Sequence, residues 1–77
     1  MEVLLRNMQV NQKGKVTKIA CEGEVLRRIR DIGIAVGAEI FVSGRAPLND
    51  PVAIKVNDTV VTLRNSEADH IYVEVRG

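Results

Sequence analysis

The chain has 77 residues, enough for one small domain, and is 45% hydrophobic but only 3% aromatic. Eleven basic and ten acidic residues leave a net charge of +1, which excludes a strong overall field that would attract nucleic acid or acidic lipid. A single cysteine excludes an internal disulfide and fits a reducing compartment. No apolar run approaches the roughly 20 residues of a membrane-spanning helix, and the first residues do not resemble a signal peptide. We therefore predict a cytoplasmic protein that is not inserted in a membrane.

The N-terminal part predicts an apolar turn, a loop and one strand. Residues Val3–Met8 form a short apolar segment, expected as a turn or a single helical turn, and Gln9–Gly14 form a loop. Lys15–Ala20 is the first predicted strand. Its apolar residues Val16 and Ile19 are three positions apart, so strict alternation places them on opposite faces. Either a bulge realigns them or both faces of the strand are partly covered.

A short amphipathic helix follows, with a glycine stop. On a 3.6-residue period, Val25, Ile29 and Ile32 fall on one narrow face, which predicts the buried side. Gly33 comes directly after the last of these apolar residues, where a left-handed residue commonly ends a helix. Gly37 opens the next turn.

The rest of the chain predicts four strands, a hairpin and one helical turn. Asn57-Asp58 is a plausible two-residue hairpin turn because both residues tolerate positive φ. Ser66 is a candidate cap for a helical turn over Glu67–His70. The strands are predicted at Glu39–Ser43, Val52–Val56, Thr59–Arg64 and Ile71–Val75. Five short strands, with one short helix between the first and second, predict a mainly β fold and a small SH3-like barrel. An open α+β sheet with the helix on one face is the alternative.

The sequence contains no pattern typical of an enzyme, but a metal site can be considered. No nucleophile, phosphate loop or dinucleotide motif is present. Cys21 ends the first predicted strand and His70 precedes the last, so antiparallel pairing of these strands would bring the two residues together. With Glu22, Glu67 and Asp69 nearby, a mixed cluster for a transition metal could assemble. The spacing matches no metal motif, and a half-buried cysteine with a surface histidine is the alternative.

The predicted helix also carries the densest basic patch. Arg27, Arg28 and Arg30 could meet a phosphate or an acidic partner. Glu24 and Asp31 dilute this patch, and a solvated helix face is the alternative interpretation.

Two further features suit a binding surface. Leu26, at the rim of the apolar stripe, could form the small hydrophobic centre of an interface or could pack in the core. The prolines of the loop APLNDP, residues 46–51, pre-set its backbone. That rigidity suits a recognition surface, and equally a stiff connection between strands.

Four segments in order resemble motifs of the FeoA family, the small cytosolic proteins of bacterial and archaeal ferrous iron uptake. LRNMQVNQKGKVTKI (5–19) resembles the family's opening L-x-x-L-x-x-G-x-x-G-x-V-x-x-I, and LRRIRDIGIAVG (26–37) resembles its helix. APLNDP (46–51) resembles A-P-L-G-D-P, and LRNSEADHI (63–71) resembles L-R-x-x-E-A-x-x-I. The sequence departs from the family at Asn11 and Asn49, which replace glycine, and at Val36, which replaces proline. Asparagine tolerates positive φ, so the first two changes preserve the turns.

The resemblance implies an SH3-like barrel that acts without catalysis and requires no cofactor. Family members are thought to bind or regulate FeoB, the membrane ferrous-iron transporter that carries a cytosolic GTP-binding domain. Our leading hypothesis is docking on that domain. The candidate surface combines the helix with the proline-containing loop and consists of Leu26, Arg27, Arg30, Leu48, Asn49 and Asp50.

Two other functions stay open. One is a sensor of ferrous iron or another divalent transition metal, with Cys21 and His70 as ligands beside nearby carboxylates. The other is nucleic-acid binding, since QKGKVTKI (12–19) resembles ribosome-associated SH3-like motifs. The low net charge and scarce aromatics oppose it, and we expect no nucleic-acid partner. A homodimer through an exposed edge or a hydrophobic loop is possible.

Overall fold

The computed structural model describes residues 1–45 and 51–75. Over these residues the chain forms six β-strands, two α-helices and one 3₁₀ turn at Leu5–Asn7. The strands and helices are β1 Glu2–Leu4, β2 Lys13–Ile19, α1 Glu24–Asp31, β3 Glu39–Arg45, β4 Val52–Val56, β5 Thr59–Leu63, α2 Asn65–Ala68 and β6 Ile71–Val75.

The six strands form one antiparallel sheet in the order β1-β6-β2-β3-β4-β5. The mainly β architecture, with its helix between the first two predicted strands, is confirmed. Two details were wrong. Within the described residues the sheet contains six strands rather than five, and it stays open, with β1 and β5 as its two edges. Closure of the barrel by strand pairing is therefore not observed there.

The additional strand is β1, in a segment that the sequence predicted as a turn or a single helical turn; the 3₁₀ turn at Leu5–Asn7 agrees with the helical turn. It pairs with β6, in a register that places Val3 opposite Val73. Its three residues are too few to show a strand periodicity, and their partners lie at the far end of the sequence. Only tertiary pairing makes this segment a strand.

A bulge in β2 is confirmed. The pairing of β2 with β6 shifts register between Val16 and Lys18. The shift lets Val16, which is buried, and Ile19, which is half-buried, pack against the same core. The bulge was one of two explanations for their three-residue spacing.

The core is aliphatic and draws on every strand except β1. Fourteen apolar residues of the described segments are buried: Leu5, Met8, Val16, Ile29, Ile34, Ile40, Val42, Val52, Ile54, Val56, Leu63, Ala68, Ile71 and Val73. Apart from Met1, the large apolar side chains that these segments expose to solvent are all valines: Val10, Val25, Val36 and Val60.

The buried face of α1 was predicted only in part. Ile29 is fully buried and Ile32 is half-buried, but Val25 is 38% exposed. Gly33 has φ +97° and its N–H bonds to the Arg30 carbonyl at 3.0 Å. The Ile34 N–H bonds back to the Ile29 carbonyl at 3.2 Å, which completes a Schellman motif. The turn brings Ile34, rather than Val25, into the core.

The β4–β5 hairpin agrees with the prediction. Asn57 and Asp58 have φ values of +50° and +65°, and the flanking residues Val56 and Thr59 are register partners. These angles match the primed two-residue turns whose twist suits a hairpin. β4 and β6 have the predicted bounds, whereas β5 ends one residue earlier, at Leu63. The bounds of the other two predicted strands were wrong: β2 begins two residues earlier, at Lys13 within the predicted loop, and ends one residue earlier, while β3 extends two residues further, to Arg45.

The second helix was placed two residues too late. It covers Asn65–Ala68 and its N-cap is Arg64, so the prediction of Ser66 as the cap was wrong. The Glu67 Oε1 atom accepts the Arg64 backbone N–H at 3.2 Å. Glu67 therefore stabilises the helix start by reaching backward from the third helical position, and a serine cap is not needed there.

Candidate functional site

The helical half of the predicted binding surface lies on α1. Leu26 is half-buried, and Arg27 and Arg30 are exposed. Leu26 and Arg30 are four residues apart on the helix, so they are neighbours along one face. The structure thus places an apolar side chain beside an exposed guanidinium group. The other half of the predicted surface, Leu48, Asn49 and Asp50, lies outside the described residues.

A groove of about 470 Å³ separates α1 from α2. Its wall on α1 includes the exposed Val25. Arg28 lies across the groove, where its Nε atom is 3.1 Å from the Glu67 Oε2 atom. The lining residues are Glu24, Val25, Arg28, Arg64, Ser66, Glu67 and His70. The groove therefore combines one apolar side chain with several charged ones, and it lies next to the predicted docking face.

The end of β2 and the start of β6, which were predicted to lie near each other, do so. The Ala20 N–H donates to the His70 carbonyl at 2.7 Å, and Ile19 is opposite Ile71 in the sheet. Cys21 therefore directly follows the hydrogen-bonded Ala20, and His70 directly precedes Ile71, the register partner of Ile19. Both Cys21 and His70 are half-buried.

The nearby carboxylates are engaged elsewhere. The Asp69 Oδ1 atom is 3.1 Å from the Arg6 Nε atom, and Glu67 binds both Arg28 and the Arg64 backbone. Glu22 is exposed. Across residues 1–45 and 51–75, no group of three or more His, Cys, Asp or Glu side chains could hold a metal ion. Metal binding by these residues stays a prediction.

Sequence analysis missed the contacts of Arg45. Its Nη2 atom donates to the carbonyl oxygens of Leu5 and Arg6, at 3.3 and 2.7 Å, and also to that of Met8. One guanidinium group thus binds three carbonyls around the 3₁₀ turn and ties the end of β3 to the N-terminal segment. No local pattern could reveal this, because the acceptors lie 37 to 40 residues away.

A second groove, of about 740 Å³, lies on the outer face of the sheet. Phe41 is half-buried in its wall and is flanked in register by Lys13 on β2 and Lys55 on β4. Glu39 and Asp58 also line the groove, so its charges are mixed. The strand alternation could have indicated it, since Phe41 and Lys55 occupy outward positions.

None of the helices in the described segments is both long and apolar enough to cross a membrane.

Comparison with known proteins agrees with this geometry. A family profile described as FeoA domain matches residues 3–75, which is almost the whole chain. The chain belongs to the FeoA family. The family is involved in ferrous iron transport. The resemblance seen in the four sequence motifs is thereby confirmed.

Individual relatives support the assignment. The domain is 31% identical, over 71 residues, to the Fe(2+) transport protein A/Fe(2+) transporter FeoB fusion protein of Porphyromonas gingivalis. That match covers 92% of this chain and only 8% of the fusion protein. A FeoA-like protein from Clostridium acetobutylicum is 40% identical, with a TM-score of 0.89 over 96% of this chain and 86% of that one.

A third comparison concerns the fold alone. Stenotrophomonas maltophilia FeoA, solved as a zinc complex and described as a prokaryotic SH3 domain protein, superposes with a TM-score of 0.79. It is 24% identical and the match covers 96% of this chain and 89% of that one. This FeoA domain therefore has the SH3-like fold that its strand pattern predicts.

Proposed function

We propose that this FeoA domain is a non-catalytic accessory module of ferrous iron uptake that binds the cytosolic GTP-binding domain of a FeoB-type transporter. The observation that carries the proposal is the Porphyromonas gingivalis relative, in which the two proteins form one chain. Fusion holds two partners at a high effective concentration, which is useful when they act on each other. A separate FeoA domain would have to supply the same contact through its own surface.

The exposed face of α1 suits such a contact. Leu26 offers a small apolar centre, while Arg27 and Arg30 provide a charged rim. Guanidinium groups form paired hydrogen bonds with carboxylates, so a complementary partner surface would be acidic around an apolar pocket. Arg28 is less available, because it already contacts Glu67.

The test is a titration of the labelled FeoA domain with the transporter's soluble GTP-binding domain, with and without a GTP analogue. Amide chemical shifts should move at Leu26–Arg30 and, if the loop takes part, at Leu48–Asp50. Leu26→Glu should abolish the shifts while the domain stays folded, because the side chain is only half-buried. Val10→Glu is the matched control, since Val10 is 46% exposed in a distant turn. Unchanged affinity of a folded Leu26→Glu variant would remove this surface from consideration.

We also propose metal sensing through Cys21 and His70, supported by the hydrogen bond from the Ala20 N–H to the His70 carbonyl, which joins the two chain segments that carry them. A soft sulfur and an imidazole nitrogen suit a transition metal, but a complete site would need a further ligand, such as the exposed Glu22. Titration with ferrous iron under anaerobic conditions should then shift both side chains and should fail in Cys21→Ser. A titration that leaves both side chains unaffected would eliminate the proposal.

A further inference from the structure

In the part of the chain that the structure describes, no further strand covers the β5 edge of the sheet. β5 is the last strand in the sheet order, and within the described residues only β4 pairs with it. Natural edge strands usually carry a charge, a proline or a bulge that blocks pairing with another chain. β5 has the sequence TVVTL, contains none of these, and keeps an unbroken register with β4. The opposite edge, β1, is only three residues long and begins with a glutamate.

The hairpin geometry fixes which backbone groups of β5 are available. Val56 and Thr59 flank the two-residue turn, so they form a hydrogen-bonded pair. Bonding alternates along an antiparallel ladder. Val60 and Thr62 therefore direct their N–H and C=O groups away from β4. Val60 is also 60% exposed, an unusual position for a valine on a free edge.

These features fit a second copy of the same strand. In an antiparallel pair centred on Val61, Val60 of one copy faces Thr62 of the other, and both have outward backbone groups. The two symmetric Val60–Thr62 pairs can each exchange two hydrogen bonds. Val61 then faces its own counterpart, and no like charges oppose each other within the strand.

The charges beyond the strand ends agree with this register. Continuing the same alignment places Asp58 of one copy beside Arg64 of the other, and the two-fold axis repeats the pair. Both residues are exposed. Opposite charges at facing positions favour pairing, whereas like charges oppose it. A shift of one residue in either direction would misalign both these charges and the outward backbone groups.

We propose that this FeoA domain self-associates through β5, with two copies joined antiparallel about Val61 into one continuous sheet. The proposal is independent of transporter binding, since α1 takes no part in it. A five-residue edge buries less surface than a stable dimer needs, so we expect association in the micromolar to millimolar range.

The experiment measures self-association by sedimentation equilibrium from about 10 μM to about 1 mM. Val60→Lys should raise the dissociation constant by about tenfold, because the lost cross-strand contact occurs twice in the dimer. Val36→Lys is the matched control, since Val36 is 64% exposed and lies outside β5. Thr62→Pro removes an outward N–H without breaking a bond to β4 and should abolish the dimer.

A mixed sample of labelled and unlabelled protein identifies the interface directly. An isotope-filtered contact between the α-protons of Val61 in the two copies is expected, because non-hydrogen-bonded residues face each other closely. An amide spectrum of each variant shows whether it is folded. If Thr62→Pro does not fold, the result for Val60→Lys decides the outcome. A monomer at every concentration would overturn the proposal. An unchanged dissociation constant of the dimer in a folded Val60→Lys variant would also overturn the proposal.

Discussion

Gly14 allows β2 and β6 to approach each other closely, and its replacement by alanine gives a quantitative test of the fold. Gly14 is buried in β2, opposite Val75 on β6. A Cβ atom at this position would lie 2.3 Å from the Val73 Cγ1 atom and 2.8 Å from the Glu74 carbonyl oxygen. The oxygen belongs to the backbone of a central strand, so it cannot move aside without disturbing the sheet.

The expected cost follows from this geometry. Val73 is fully buried, so its methyl group has no open space to enter. Overpacking a tight core typically costs 1–3 kcal/mol, and about 2 kcal/mol is reasonable for Gly14→Ala. In a domain of this size, each kcal/mol lowers Tm by roughly 4–8 °C. We therefore expect the Tm of Gly14→Ala to fall by about 8–16 °C.

Thermal unfolding followed by circular dichroism measures this difference. Gly44→Ala is the matched control, because Gly44 also lies in a strand and has no positive φ, and no described atom lies within 4 Å of the place that an alanine methyl would take. The control should change stability by no more than about 1 kcal/mol. If the two variants unfold within about 2 °C of each other, the close approach of β2 and β6 does not constrain position 14 and the reasoning is refuted.

Two further predictions concern single side chains. Arg45→Met removes the guanidinium donor shared by the carbonyls of Leu5, Arg6 and Met8, of which that of Leu5 still accepts the Met8 N–H. The change should lower the free energy of unfolding in urea by about 1–3 kcal/mol; a loss below the error of the measurement would show that water replaces the guanidinium. Asn11 has φ +72°, so Asn11→Gly should keep full stability, whereas Asn11→Val should lose about 1–2 kcal/mol in the same assay. Equal stability of the glycine and valine variants would contradict the claim that asparagine is present for its backbone conformation.

Local patterns were enough to predict much of the fold. β4 and β6 alternate cleanly and were predicted at their observed bounds. The three-residue spacing of Val16 and Ile19 left a bulge or two partly covered faces as explanations, and the structure contains the bulge. Asn57-Asp58 indicated a turn with positive φ. Regular apolar alternation and residue types that tolerate positive φ are both properties of a few neighbouring residues, so the sequence contains them.

Two features were missed because distant residues determine them. β1 is a strand only because β6 pairs with it, and Arg45 binds a carbonyl 40 residues away. Periodicity placed Val25 in the core, but an eight-residue helix is too short for its phase to be fixed by period alone. The Schellman turn at Gly33 selected Ile34 instead.

The candidate site also divides into features that sequence patterns predict and features that depend on distant residues. Arg27 and Arg30, expected opposite the apolar stripe of a helix, are exposed on α1, and Leu26, expected at its rim, is half-buried. Their binding of a partner stays a prediction. The pairing of the strand ends beside Cys21 and His70 followed from the expected antiparallel pairing of the first and last predicted strands. The pairing of Asp69 with Arg6 could not be predicted, since it depends on the packing of α2 against the N-terminal turn.

The contacts of Arg45 have a consequence for the connection between β3 and β4. Arg45 is bound to the 3₁₀ turn and is also the register partner of Val52. The two ends of the connection between β3 and β4 are therefore held in place by contacts that do not involve the connection itself. Lengthening a closed connection costs little, because the entropy of closure grows only with the logarithm of its length. We therefore expect residues inserted between Arg45 and Val52 to add little free energy of closure to the pairing of β3 with β4.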